Sequence, residues 1–182
     1  YRYDGPNVAA KYGALASLIR SVGNGLMNTP HTGTMGEYKS FKKIPHAAIT
    51  TEDAMMIDRI YKRGNRVVLN LKMEAKFVED RWSRNVLAEL RGSTHPEEVV
   101  VLGGHIDSWD VGQGAHDDAG GCVAAWRAVT LIKELGFKPK RTLRVVLWTN
   151  EENGSRGSKN YRNEHFSELE NHIVAIESDG GV

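Results

Sequence analysis

A single cysteine, Cys122, stands in 182 residues, so no internal disulfide can form and cysteine usage does not mark a redox compartment. The thiol reads as a small buried side chain on a helix. Internal repeats and low-complexity segments are missing, which excludes solenoid arrays and unstructured linkers. There is next to no charge of one sign: 24 Lys and Arg against 23 Asp and Glu leave a net charge of +1, with no electrostatic ground for nucleic acid or an anionic membrane as partner. No apolar run comes near the ~20 residues of a membrane span. The opening YRYDGP lacks the basic-then-apolar pattern of a signal peptide. What is present is ordinary globular composition, 40% hydrophobic and 26% charged, and the length suits one sizeable core or a domain plus part of another.

Residues 7–21 (NVAAKYGALASLIRS) have helical spacing, with Leu15, Leu18 and Ile19 apolar and Gly23 as a stop. A long Gly/Pro/Asn/Thr-rich loop follows over 23–45. TTEDAMMIDRIYKRG (50–64) predicts a capped helix ending at Gly64. RVVLNLKMEAKF (66–77) and NVLAELRG (85–92) read as strands, and THPEE (94–98) as a turn. Then the pattern changes. VVVLGG (99–104), TLRVVLWT (142–149) and HIVAIES (172–178) are short continuous apolar runs of the kind buried on both faces. Helices are expected over 118–136 and 154–164. This alternation predicts an α/β unit with a mostly parallel sheet and helices on both faces. A boundary falls near 75–80. Three parallel strands with an open edge, ending just past a strand, read as part of a larger domain.

The chemistry is concentrated in GGHIDSWDVGQGAHDDAGG (103–121). An EF-hand reading starting at Asp107 gains its glycine at Gly112. It fails because Trp109 and Val111 occupy ligand places and Asp118 stands where a bidentate glutamate belongs. A dinucleotide reading places Asp117 at the third glycine, and aspartates at a helix start repel a pyrophosphate. A plain polar loop accounts for one aspartate as a helix cap. It does not account for the other strand ends. His105 and Asp107 follow the first buried strand, Glu151 and Glu152 the second (LWTNEEN), and Asp179 the third (IESDGG), with Asp117 at the helix start. Ligands gather at the carboxyl ends of strands in open α/β sheets. So many carboxylates at one edge repel each other unless cations hold them. Histidine plus carboxylates without thiolate suits a catalytic zinc, manganese or cobalt site, and the number of ligands favours two ions. Of the adjacent glutamates, one can bind metal while the other takes a proton from water.

GGHIDSWDVGQGAHDD, VVLWTNEENG and ESDGG resemble the co-catalytic zinc peptidases of family M28, and the likeness extends through GALASLIRSV, TPHTGT, LKMEAK and KPKRTLRVVLW. The resemblance implies a zinc-peptidase α/β domain over 76–182, its later part beyond this chain, preceded over 1–75 by part of a protease-associated insert. It implies two Zn2+ bridged by Asp117 and a water or hydroxide. His105 and Asp179 resemble ligands, as does Glu152; Asp107 resembles the acid that orients His105, and Glu151 the general base. A fifth ligand, a histidine, is expected beyond residue 182, and a non-proline cis peptide at Asp117–Asp118. The implied activity is hydrolysis of short peptides by a secreted or lysosomal homodimer. Two other readings remain open: a receptor- or binding-type relative without catalysis, and a metal-dependent hydrolase of non-peptide amides. The Asn153-Gly-Ser155 sequon is expected to be unoccupied because a glycan there would obstruct the site. His31, His46 and His95 are expected to be solvated in loops.

Overall fold

The structure, a computed structural model, describes residues 1–23, 28–31, 33–37 and 42–180. They fall into two compact units, Tyr1–Glu79 and Asp80–Val182. Parts of the loop expected over 23–45 lie outside the described residues.

In the first unit, helix α1 (Gly5–Lys11) starts with Pro6 in its first turn, where a missing N–H costs nothing. Strand β1 (Ser17–Arg20) pairs in parallel with β2 (His46–Ile49). The single helix expected over 7–21 is therefore corrected. Gly13 takes φ +78°, ending the helix, and SLIR finds a ladder partner thirty residues away. Leu18 and Ile19 fit either period, so spacing alone could not decide. His46 is not solvated either: its ring nitrogens lie 3.1 Å from the carbonyls of Ser17 and Arg2. Helix α2 (Thr51–Lys62) forms as expected. Thr50 Oγ1 accepts from the Asp53 amide at 3.0 Å, Glu52 and Asp53 sit at the positive end of the dipole, and Arg59 and Lys62 at the negative end. The strand expected over 66–77 does not form. Val68, Leu69 and Phe77 are exposed, and no ladder partner exists among the described residues.

The second unit is a four-stranded sheet. β3 (Val86–Leu90) is antiparallel to β5 (Arg141–Trp148), and β4 (His95–His105) and β6 (His172–Glu177) run parallel to it, in the order β3-β5-β4-β6. β4 starts earlier than its apolar run. His95 already pairs with Arg141, with an irregularity before Val99, so the turn expected over 94–98 is shortened to the residues before His95. Helix α3 (Gly120–Glu134) and helix α4 (Arg156–Glu164) cover opposite faces. Ala125 and Val129 of α3 pack on Val145, Leu143 and Leu147, whereas Tyr161 of α4 packs on Val99, Val101, Val146 and Trp148. Strand period two thus sorts odd and even residues of β5 into two cores. Burying a valine of this kind is worth ~1.5–3 kcal/mol. Trp148 meets Tyr161 edge to face, centroids 5.2 Å apart. Both helices start two residues later than the spacing predicts, at Gly120 and Arg156, because the residues before them are held in the site.

Candidate metal and catalytic site

Parallel register aligns the strand ends. His105 pairs with Trp148, so Asp107 comes level with Asn150, beside the two glutamates. Gly103 pairs with Glu177, so His105 comes level with Asp179. The three loops therefore leave one edge at one height. The turn Ala115–Ala119 brings in the fourth contributor: Asp117 and Asp118 have non-helical backbone and are joined by a cis peptide. A second non-proline cis bond, Asp110–Val111, was not anticipated.

Close packing beneath this edge requires absent side chains. A Cβ on Gly121 would fall 1.8 Å from the Ser178 carbonyl, and one on Gly104 would fall 2.4 Å from Asp118 Oδ2. The glycines let the α3 start sit directly on β4 and the end of β6. Asp118, almost fully buried, uses that closeness. Its carboxylate accepts from the amides of Gly121 and His105, both at 3.0 Å, and so ties the first turn of α3 to the end of β4. Cys122 is the buried thiol expected, donating to the His105 carbonyl at 3.1 Å. Burial, then the charges of Asp118 and Glu177, push its pKa up to about 11.

His105 is 1% exposed. Its Nδ1 lies 2.8 Å from the Asp107 carbonyl and 3.7 Å from the Asp107 carboxylate. Its Nε2 points into the acids, 2.9 Å from Asp117 Oδ1 and 3.4 Å from Asp179 Oδ1. Two groups here have ligand atoms within 4.8 Å of one another: His105, Asp117 and Glu152, and His105, Glu151 and Asp179. The residues singled out from the sequence, His105, Asp117, Glu151, Glu152 and Asp179, are thus brought together, and Asp107 lies beneath them. Burial pulls the His105 pKa down, yet the Asp107 carbonyl and the charges of Asp179, Asp107 and Asp117 outweigh it and leave the ring more basic than usual. Burial, then the charge of Asp117, raise the Glu152 carboxyl. Burial, then Glu151 and Asp179, do the same for Glu177, a strand-end acid that the apolar run concealed.

One oxygen decides whether these residues suit a metal. Glu152 Oε1 is buried without a hydrogen-bond partner, inside the first of the two groups. A buried carboxylate oxygen left unpaired is costly. Facing a histidine nitrogen and a second carboxylate, it is an oxygen in search of a cation, and the donor set fits a divalent ion with N/O preference. Beside the site opens a polar cleft of about 780 Å³ bordered by Asp107, Ser108, Asn150, Asn153, Trp82 and Arg156. Asn153, the sequon residue, is exposed at this rim. Trp148 is core, whereas Trp109 flanks Glu152 as a hydrogen-bond donor.

A histidine and several carboxylates on the carboxyl edge of a mostly parallel, helix-covered sheet define an α/β protein able to hold metal. The chain belongs to peptidase family M28, whose profile matches residues 85–181. It is similar over its whole length to the proteins named Carboxypeptidase Q from Bos taurus, 54% identical, and from Homo sapiens, 51% identical, and spans 39% of the length of each. The crystal structure of a peptidase M28 precursor from Shewanella amazonensis superimposes with a TM-score of 0.88 at 44% identity, over 99% of this chain and 41% of that one.

Proposed function

We propose that this chain carries most of the centre of a co-catalytic zinc exopeptidase that hydrolyses short peptides. The observation that carries the reading is the convergence of His105, Asp117, Glu151, Glu152 and Asp179 around a buried, unpartnered glutamate oxygen. Family membership and the carboxypeptidase Q relatives favour a peptide over another amide. His105, Asp117, Glu152 and Asp179 would hold two zinc ions. Bound zinc supplies Lewis acidity, which acidifies water and polarises a carbonyl.

The chain's own residues do the rest. Glu151 accepts a proton from water as the water oxygen bonds to the scissile carbonyl carbon. The C–N bond then breaks, and Glu151 returns the proton to the leaving amine. The Asp107 main-chain carbonyl steadies His105 through Nδ1, and the polar cleft beside the site receives the peptide. The unit Tyr1–Glu79 is assigned to a protease-associated insert, and residence in the secretory pathway or lysosome and a homodimeric state go with the same reading.

The test is turnover of dipeptides by the full-length protein. Glu151→Gln should lower kcat more than about 100-fold while zinc still binds, as expected for a general base. Wild-type turnover in this variant rejects the role. A protein that binds zinc but cleaves only acylated amino acids moves the substrate class, and one that binds no zinc favours the binding-type reading.

A further inference from the structure

Sequence and resemblance place Asp107 behind His105, and Ser155 in an unused sequon. The structure gives both a different task. The Asp107 carboxylate accepts from two successive backbone amides across the sheet edge, Glu151 N–H at 2.9 Å on Oδ1 and Glu152 N–H at 3.3 Å on Oδ2. His105 takes the Asp107 main-chain carbonyl instead, at 2.8 Å. Both carboxylate oxygens are therefore committed to the turn that carries the glutamates. From the other side, the Ser155 hydroxyl donates to Glu151 Oε1 at 3.1 Å. Ser155 does this from φ +55°, in the left-handed region that favours glycine. Two more residues of the same turn, Asn150 at φ +58° and Gly154 at φ +114°, share that region. A serine in a glycine's conformation, with its hydroxyl on a candidate base, directs the inference from strain to role.

We propose that Asp107 and Ser155 are positioning residues for the Glu151–Glu152 pair, Asp107 fixing the backbone of the turn and Ser155 fixing the Glu151 carboxylate. Two amides donating to one carboxylate set the direction in which both glutamate side chains leave the chain, one toward His105 and Asp117 and the other toward His105 and Asp179. The hydroxyl then selects one orientation of Glu151. The proposal rests on the reading of Glu151 as the base, and its test separates the two.

Amide hydrogen exchange on the full-length protein, stripped of metal by chelation, reads the Asp107 part without activity. Asp107→Asn presents an NH2 to one of the two amides. Exchange of the Glu151 or Glu152 amide should then rise about tenfold or more, the worth of a charge-assisted bond. Unchanged protection of both overturns this part. Ser155→Gly suits the local backbone and keeps the fold, so its melting temperature should hold or rise while kcat falls about three- to tenfold at constant KM. Ser155→Ala should show the same kcat loss with a lower melting temperature. Wild-type kcat in Ser155→Gly overturns the second part. Should Glu151→Gln itself leave kcat intact, the base assignment falls, while amide exchange still decides whether Asp107 holds the turn.

Discussion

Two polar clusters, one built on the buried Arg144 and one on the buried His105, share the Asp80–Val182 unit and treat charge in opposite ways. In one, the Arg144 guanidinium of β5 is closed off by partners. It donates to Glu89 and to Tyr161 Oη, both at 2.5 Å, and lies 3.7 Å from Glu168. Arg144 donates to the phenol oxygen, so the phenol hydrogen is free for His172 Nε2, 2.8 Å away, and His172 Nδ1–H goes to the Glu168 carbonyl at 2.9 Å. Burial lowers the Arg144 pKa, but the Tyr161 and Glu89 bonds more than restore it, and burial keeps the Tyr161 phenol protonated. Donors and acceptors balance. In the other cluster, His105 is the basic group facing Asp117, Glu152, Asp179 and Asp107, and a buried oxygen is left over. A closed network holds α4 and β6 to the sheet. The open one leaves a carboxylate oxygen unpaired, the condition under which a cation would bind. Polar burial by itself marks neither structure nor function; the sum of donors, acceptors and charge tells them apart.

The largest effect belongs to the open cluster, where Glu151→Gln removes the proposed base and should cost more than about 100-fold in dipeptide turnover. Next is metal linkage. Zinc at 100 times its Kd should raise unfolding free energy by ~2.7 kcal/mol, and chelation should remove the gain. Thermal melts of the protein and of His105→Ala check this, and a zinc-independent melting temperature would place the open cluster in the same class as the closed one. In the closed cluster, Tyr161→Phe strands the Arg144 donor and the His172 ring, and should cost ~1–3 kcal/mol in urea denaturation without altering zinc binding. A loss of zinc binding in that variant would show the two clusters to be coupled. The smallest effect is at Cys122. Its thiol, neutral in the folded protein up to about 11, should resist alkylation at pH 8 until the protein is denatured. Because the folded pKa is raised, the associated stability is fully present below the thiol's ordinary 9.0 and is lost as pH rises toward about 11. Rapid labelling of native protein would show the site edge to be open to solvent.

The strands β4 and β5 were legible because continuous apolar runs have one physical use in a helix-covered sheet, and α2 because its cap and charges are local. β6 forms where it was read, but as an edge strand with Ile173, Val174 and Ile176 exposed, so the burial expected on both of its faces is corrected. The helix read over 7–21 was not. Leu18 and Ile19 satisfy both periods, and only the partner at His46–Ile49 selects the strand. The strand read over 66–77 failed for the converse reason: alternation forms no strand without a ladder. At the site, His105, Glu151, Glu152 and Asp179 were visible because acids and histidine at three strand ends have few structural uses, and Asp117 because it joins them at the helix start. Ser155 and the Asp107 clamp were not visible, because a serine and an aspartate in polar loops carry no signal until their partners are known.

Period and composition are local properties of the chain, and they mark which residues could do chemistry and place them at strand ends and a helix start. Their meeting depends on the fold. Parallel register sets Asp107 beside Asn150 and His105 beside Asp179, and glycines at 104 and 121 let the helix start close the edge from below. Register and close approach depend on contacts between residues tens of positions apart, which no local pattern encodes.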